Sequence, residues 1–208
     1  MSYEIEKIDY KWHTIRLIQD EDASNPREDE NVGEILYTSH RYTLGDKRVD
    51  AEVIREIADN PKNIWLPVYA YIHGGTRLST GSFRGRAPHA DWDSGQCGII
   101  WCSKDRAVKE WGKKVCTKQV IEQAEKCLQG EVETYNQWIN GEVVGYEVEG
   151  PVCEDSCWGF YPDEKGDYEY AISEAKSAID YDRKKEAQRL KAERLEKRLA
   201  REQHVALI

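Results

Sequence analysis

Apolar and polar positions alternate along several short stretches of this chain and switch to helical spacing in others. Residues 11–19 interleave Trp12, Ile15, Leu17 and Ile18 with polar neighbours, which predicts a strand. An acidic loop follows over residues 20–31, with Asn25-Pro26 as its turn signal, and residues 33–40 predict a second strand. Ala51, Ile54, Ile57 and Ala58 recur at helical spacing between Asp50, a candidate N-cap, and Pro61, a stop. Residues 64–73 are rich in Val, Tyr and Trp; Gly74-Gly75 then turns the chain into residues 76–83, a hairpin signature.

Residues 84–96 have no period and predict a loop. Residues 97–103 form a short apolar run, as a buried central strand does. Ser103 is placed to cap a helix over 104–112. Thr117 is placed to cap a longer one that carries Val120, Ile121, Ala124, Leu128, Val132, Tyr135 and Ile139 on one side. Gly130 predicts a bend in that helix and Gly141 its end. Residues 142–149 alternate around Val143, Val144 and Tyr146, and residues 152–161 return across Gly150-Pro151 as a second hairpin. From residue 167 to 203 there is neither Gly nor Pro, and Ala, Leu, Lys, Arg and Glu dominate. That composition predicts one long helix, apolar on one face only in its first half. The expectation is an α+β fold: one mostly antiparallel sheet with packed helices and a long C-terminal helix. Residues 1–180 read as a single domain, and 181–208 as a basic helical tail.

Seven Trp and twelve Tyr in 208 residues require a folded core, although a third of the chain is charged. No apolar run is long enough to span a membrane, and the first residues carry no apolar signal segment, so a cytoplasmic location is expected. The six Cys then read as free thiols.

The net charge of −9 is segregated. Residues 1–34 carry −6, residues 35–130 +4, residues 131–182 −12 and residues 183–201 +6. An acidic body repels nucleic-acid phosphates, so direct nucleic-acid binding is expected only through the basic tail. Such a body suits a partner with a basic surface, and Glu131, Glu133, Glu147 and Glu149 are the carboxylates expected to form the acidic face. A homo-oligomer through the tail is a further expectation, limited by its having only Leu190, Leu195 and Leu199 among charges.

The densest polar and aromatic segment is residues 73–96. His73, Ser79, Thr80, Arg84, Arg86, His89, Trp92, Asp93, Ser94 and Gln96 together offer forked donors, hydroxyls, a stacking surface and two imidazoles. This inventory suits an anion, a nucleotide or a partner peptide, and it matches neither a P-loop nor a Rossmann fingerprint. The Cys spacings and isolated His residues do not form a zinc pattern, so no metal and no cofactor is expected. An enzymatic alternative pairs Cys97 as nucleophile with His73 or His89 as base and Asp93 as orienter.

Several strings recur together: His40-Arg41-Tyr42-Thr43-Leu44-Gly45-Asp46, Leu66-Pro67-Val68-Tyr69, Trp92-Asp93-Ser94-Gly95-Gln96, Gly130 to Trp138 (GEVETYNQW) and Asp155 to Tyr161 (DSCWGFY). In their order and spacing the chain resembles a family of small proteins encoded by phages, prophages and conjugative plasmids, across about residues 31–180. The family carries no established active site, so the resemblance transfers none. At the position of Cys97 its members more often have Val, which weighs against a thiol nucleophile. The resemblance implies a bacterial host cell and a mobile-element context, in which small acidic proteins often inhibit host defence enzymes. The sequence reading is therefore a non-enzymatic binding protein of a phage or plasmid, an anti-restriction or anti-CRISPR type of inhibitor. Its partner would be a host nucleic-acid-processing protein. The alternatives are a nucleotide or small-molecule binder and a small Cys/His hydrolase.

Overall fold

A computed structural model describes residues 3–205, with side chains described through residue 201. The end of the expected tail, residues 206–208, and the first two residues of the chain lie outside the described range. In chain order the elements are β1 (Glu4–Tyr10), β2 (His13–Gln19), β3 (Glu34–Tyr37), β4 (Lys47–Arg48), α1 (Ala51–Asp59), β5 (Asn63–Ile72) and β6 (Thr76–Ser79). They continue as α2 (Ala90–Asp93), β7 (Ser94–Ser103), α3 (Lys104–Glu110), α4 (Lys118–Ile139), β8 (Val144–Glu149), β9 (Asp155–Phe160) and α5 (Glu169–Val205). The fold is α+β, as the sequence predicts.

The strands divide between two sheets, where the sequence reading drew one. The chain forms two compact units: unit 1 holds the residues up to Ala23 and those from Val143 onward, and unit 2 is Ser24–Glu142. The residues read as one domain over 1–180 thus fall in both units, the first of which is discontinuous along the chain. Local alternation identifies strands but not their partners. Here β2 pairs with β8, more than a hundred residues later in the chain, with Leu17 opposite Tyr146 and Ile15 opposite Val148. The amide of Asp20 donates to the Val143 carbonyl at 2.8 Å, so the chain leaves unit 1 beside the point where it returns.

Unit 1 is a four-stranded antiparallel sheet in the order β1-β2-β8-β9. Alternation sends Ile15, Leu17, Tyr146 and Val148 to one face, where Ala171, Ala175 and Ile179 of α5 cover them at intervals of four residues. Each large apolar side chain fully buried there contributes about 1.5–3 kcal/mol. The helix runs unbroken past the expected boundary at residue 181, and its second half is exposed.

Unit 2 is a five-stranded sheet in the order β4-β3-β7-β5-β6, antiparallel except between β3 and β4. The apolar run expected to be central is central: β7 buries Ile99, Ile100 and Cys102 between β3 and β5. Helix α4 lays Val120, Ala124, Leu128, Val132 and Tyr135 into the same core. Two expected caps form, with Ser103 Oγ accepting from the Arg106 amide at 3.1 Å and Thr117 Oγ1 from the Val120 amide at 3.4 Å. Asp50 precedes α1 in extended conformation and makes no side-chain cap bond. Gly130 does not end or interrupt α4, because its exposed position lets the helix run on; Gly141, at φ 66°, follows the helix end.

Candidate functional site

The β5-β6 hairpin and the segment that follows it build a cleft in unit 2. The turn uses Gly74 at φ 71°, and the His73 amide donates to the Gly75 carbonyl at 3.1 Å. Tyr71 on β5 stands directly opposite Arg77 on β6, and Tyr69 opposite Ser79, so alternation puts Arg77 and Ser79 on one face. After β6 the Phe83 carbonyl accepts from the amides of Arg86 and Ala87, at 2.9 and 3.1 Å, curling the chain back. The phenol of Tyr71 anchors the curl by donating to the Pro88 carbonyl at 3.0 Å.

The result is a cleft of about 410 Å³, within the range of small-molecule sites. Its walls are Tyr71, Phe83 and Pro88 on the apolar side and Arg77, Ser79 and Arg86 on the polar side. Helix α4 supplies Glu133 and Asn136, one turn apart. Asn136 is committed to structure: its Oδ1 accepts from the Leu78 amide at 2.8 Å and from Asn140 Nδ2 at 3.3 Å. Arg86 packs its guanidinium 5.8 Å from the Phe83 ring centre while its Nε donates to the Ser82 carbonyl at 2.7 Å. Burial holds the Glu142 carboxyl above its ordinary value, with Glu133 adding to the rise and Arg77 opposing it. Two guanidiniums, Arg77 and Arg86, and one carboxylate, Glu133, line the cleft.

Beside the cleft the rings of Phe83, Tyr71, His73 and His89 follow one another with centroids 5.6, 5.9 and 5.8 Å apart. His73 Nδ1 lies 2.8 Å from Asp93 Oδ2. His89 sits in the left-handed region at φ 56°, immediately before the short helix α2 that carries Asp93. Among the described contacts no Ser, Thr or Cys is bonded to the His73 ring. Cys97 is not beside it in role: its thiol donates to the Val68 carbonyl at 3.4 Å, and burial pushes it up to about 12. It is a packing thiol, and the nucleophile of the hydrolase alternative is missing from this arrangement.

The structure thus brings His73, His89 and Asp93 together and places Ser79 and Arg86 in the cleft. Thr80 only follows β6, half-buried. Arg84 is exposed and 3.7 Å from Asp91, outside the cleft lining. Trp92 is 90 % exposed. Ser94 donates to the Ala90 carbonyl and Gln96 to the Gly98 carbonyl, both local bonds of the chain. The sequence reading missed Tyr71, Arg77 and Asn136. Arg77 shares a strand face with Ser79, a relation alternation makes available, but the partnership with α4 is tertiary.

The expected acidic face is corrected at Glu131. Its carboxylate is largely buried, accepting from Arg27 Nη1 at 3.0 Å and from the Val32 amide at 2.7 Å, so it is neutralised inside unit 2. Glu133 is exposed on α4 of unit 2, whereas Glu147 and Glu149 belong to β8 of unit 1. The latter pair each lie 3.3 Å from Arg16 on β2. Glu154, Asp155 and Ser156 complete a shallow depression of about 560 Å³ around that arginine.

Among the described residues no group of three or more His, Cys, Asp or Glu is arranged to hold a metal ion, and no helix is long and apolar enough to cross a membrane. No protein-family model, curated protein or solved structure matches the chain.

Proposed function

We propose that this is a non-enzymatic binding protein whose unit 2 cleft takes a small anionic compound with a flat ring, of the nucleotide class. The observation that carries this reading is the pairing of Arg77 and Arg86 with Tyr71 and Phe83 around one cleft. Guanidiniums present forked donors to phosphate, and aromatic walls accept a base by stacking. Glu133 also lines the cleft, and a carboxylate there accepts from a base amino group or a ribose hydroxyl.

The test is a thermal-melting panel of nucleoside mono-, di- and triphosphates against the full chain. A ligand present at a hundred times its Kd stabilises the folded state by about 2.7 kcal/mol, which raises the melting temperature by several degrees. The shift is expected to disappear in Arg77→Ala and Arg86→Ala and to persist in Arg84→Ala, since Arg84 does not line the cleft. A panel without any shift sinks the reading.

A second reading rests on unit 1. The carboxylates of Glu147, Glu149, Glu154 and Asp155 on one depression support the anti-defence hypothesis, in which a phage or plasmid protein occupies the basic surface of a host nucleic-acid-processing protein. Arg16 neutralises part of that charge. Added to a host restriction or CRISPR effector nuclease, the protein is expected to block DNA cleavage. The Glu147→Lys, Glu149→Lys double variant is expected to lose the block; equal inhibition by the variant removes this reading and leaves the cleft untouched.

A further inference from the structure

Unit 1 carries a strained turn with a side chain that the fold itself does not use. The β1-β2 hairpin closes through Lys11 and Trp12, whose φ angles are 50° and 71°. Positive φ at both central residues is the requirement of a type I′ turn, which Asn-Gly or Gly-Gly ordinarily fills because other side chains crowd the backbone there. Trp is among the bulkiest residues that such a position could carry. It is nevertheless 89 % exposed, so the indole gains no core burial in return.

The surroundings hold the turn in this conformation. The Lys11 carbonyl accepts from Arg183 Nη1 at 2.9 Å and from Nδ1 of buried His13 at 2.9 Å. The Lys11 ammonium pairs with Asp180, which also accepts from the Tyr10 phenol at 3.2 Å. A strained residue kept in place by its neighbours, with its side chain turned to solvent, points to recognition.

The helix that braces the turn indicates the ligand. Arg183, which braces the turn, is the first residue of the basic half of α5. From there to Arg201 the helix carries nine Lys and Arg against three Glu, and those bases are exposed. This stretch is on the order of 28 Å long at the helical rise, enough to follow several phosphates. Beside the turn, Tyr10 packs against the core and His13 is buried, while Asp9 and Thr14 are the polar neighbours, so Trp12 is, among the described residues, the one large apolar side chain exposed there, which does not suit insertion into lipid.

We propose that Trp12 and the basic half of α5 form a binding surface for single-stranded nucleic acid. The indole stacks on an unpaired base while Lys and Arg of the helix contact the adjoining phosphates. A duplex is excluded from the stacking contact because its bases are already stacked and paired. This surface is separate from the unit 2 cleft and stands or falls independently of it.

The test uses the full chain and a short fluorescein-labelled oligothymidylate, read by anisotropy. Binding at low salt that weakens steeply as salt is raised is expected, with an unlabelled duplex a poor competitor. Trp12→Gly is expected to weaken binding roughly tenfold or more, the effect of removing one base-stacking aromatic. Its melting temperature is expected to be equal or higher, since Gly accepts the positive φ; Trp12→Phe keeps most of the affinity. A Lys184→Glu, Lys185→Glu, Lys191→Glu variant is expected to lose binding. The proposal is overturned by absence of binding at low salt, by Trp12→Gly binding as tightly as the parent chain, or by equal competition from duplex. Binding to phosphatidylserine vesicles without binding to the oligonucleotide also overturns it.

Discussion

Arg27 holds Asp46 through two parallel bonds, Nε to Oδ1 at 2.9 Å and Nη2 to Oδ2 at 2.8 Å, with the arginine side chain only 5 % exposed. The same guanidinium donates to Glu131, to Asn31 Oδ1 at 2.8 Å and to the Gly33 carbonyl at 2.7 Å. Asp46 Oδ2 in turn accepts from the Ile35 amide at 2.7 Å. One cation thereby ties an otherwise loose acidic loop, the start of β3, the segment before β4 and helix α4 together. Removing one member of a buried ion pair leaves the other charges uncompensated. Arg27→Ala is therefore expected to destabilise unit 2 by about 3–5 kcal/mol in denaturant unfolding. A change below about 1 kcal/mol would show that the network is not structural.

Gly98 on β7 leaves no room for a side chain. A Cβ there would collide with the backbone carbonyl of Leu36 on the paired strand β3, and backbone cannot swing aside as a side chain can. Gly98→Ala is expected to cost about 1–3 kcal/mol or more in the same measurement. Gly75→Ala, facing open space in the β5-β6 turn, serves as the mild control.

Thiol chemistry separates the cysteines. Burial pushes Cys97 up to about 12 and Cys102, Cys127 and Cys153 up to about 11, while Cys157 is exposed on the edge strand β9. Since the thiolate reacts and each unit of pKa is tenfold in its population, Cys97 is expected to react roughly two to three orders of magnitude more slowly than an ordinary thiol at pH 8. Ellman's reagent on the native protein should show a fast phase that Cys157→Ser removes and Cys97→Val leaves unchanged. A fast phase lost with Cys97 would restore the nucleophile reading.

The bracing of the Trp12 turn predicts a pH dependence. The Lys11 hydrogen bond holds the Asp180 carboxyl below its ordinary value of 3.8, and the Tyr10 phenol adds to the effect. A lowered carboxylate binds protons more weakly in the folded than in the unfolded state. Its contribution is therefore present above the ordinary value and lost as the pH falls through the lowered one. NMR titration is expected to place Asp180 below the ordinary carboxyl value and to return it upward in Lys11→Met. No movement in that variant would show that the ion pair does not persist in solution.

Much of the local structure was legible in the residues themselves. The Ser103 and Thr117 caps, the Gly74-Gly75 hairpin, the apolar run of β7 and the Gly- and Pro-free α5 each rest on interactions within a few positions, and each is present. Strand β1 went unread because its positions are mostly exposed and alternate weakly; its pairing with β2 makes it a strand. For the candidate site, the sequence pointed to His73, His89, Asp93, Ser79 and Arg86 because polar and aromatic groups crowd residues 73–96. It could not add Glu133 and Asn136, which reach the cleft only because α4 packs along the hairpin.

The amino-acid sequence by itself determined the type of most elements, the capped starts of α3 and α4 and the segregation of charge, since periodicity, capping and composition act over short distances along the chain. Only the tertiary structure decided that the strands form two sheets, that Glu131 is an internal counter-ion and that Arg77 and Arg86 line one cleft. It also decided that Trp12 stands exposed on a turn braced by Arg183. Those outcomes depend on which distant segments bury one another, a choice made by long-range burial and pairing energies that no local pattern encodes.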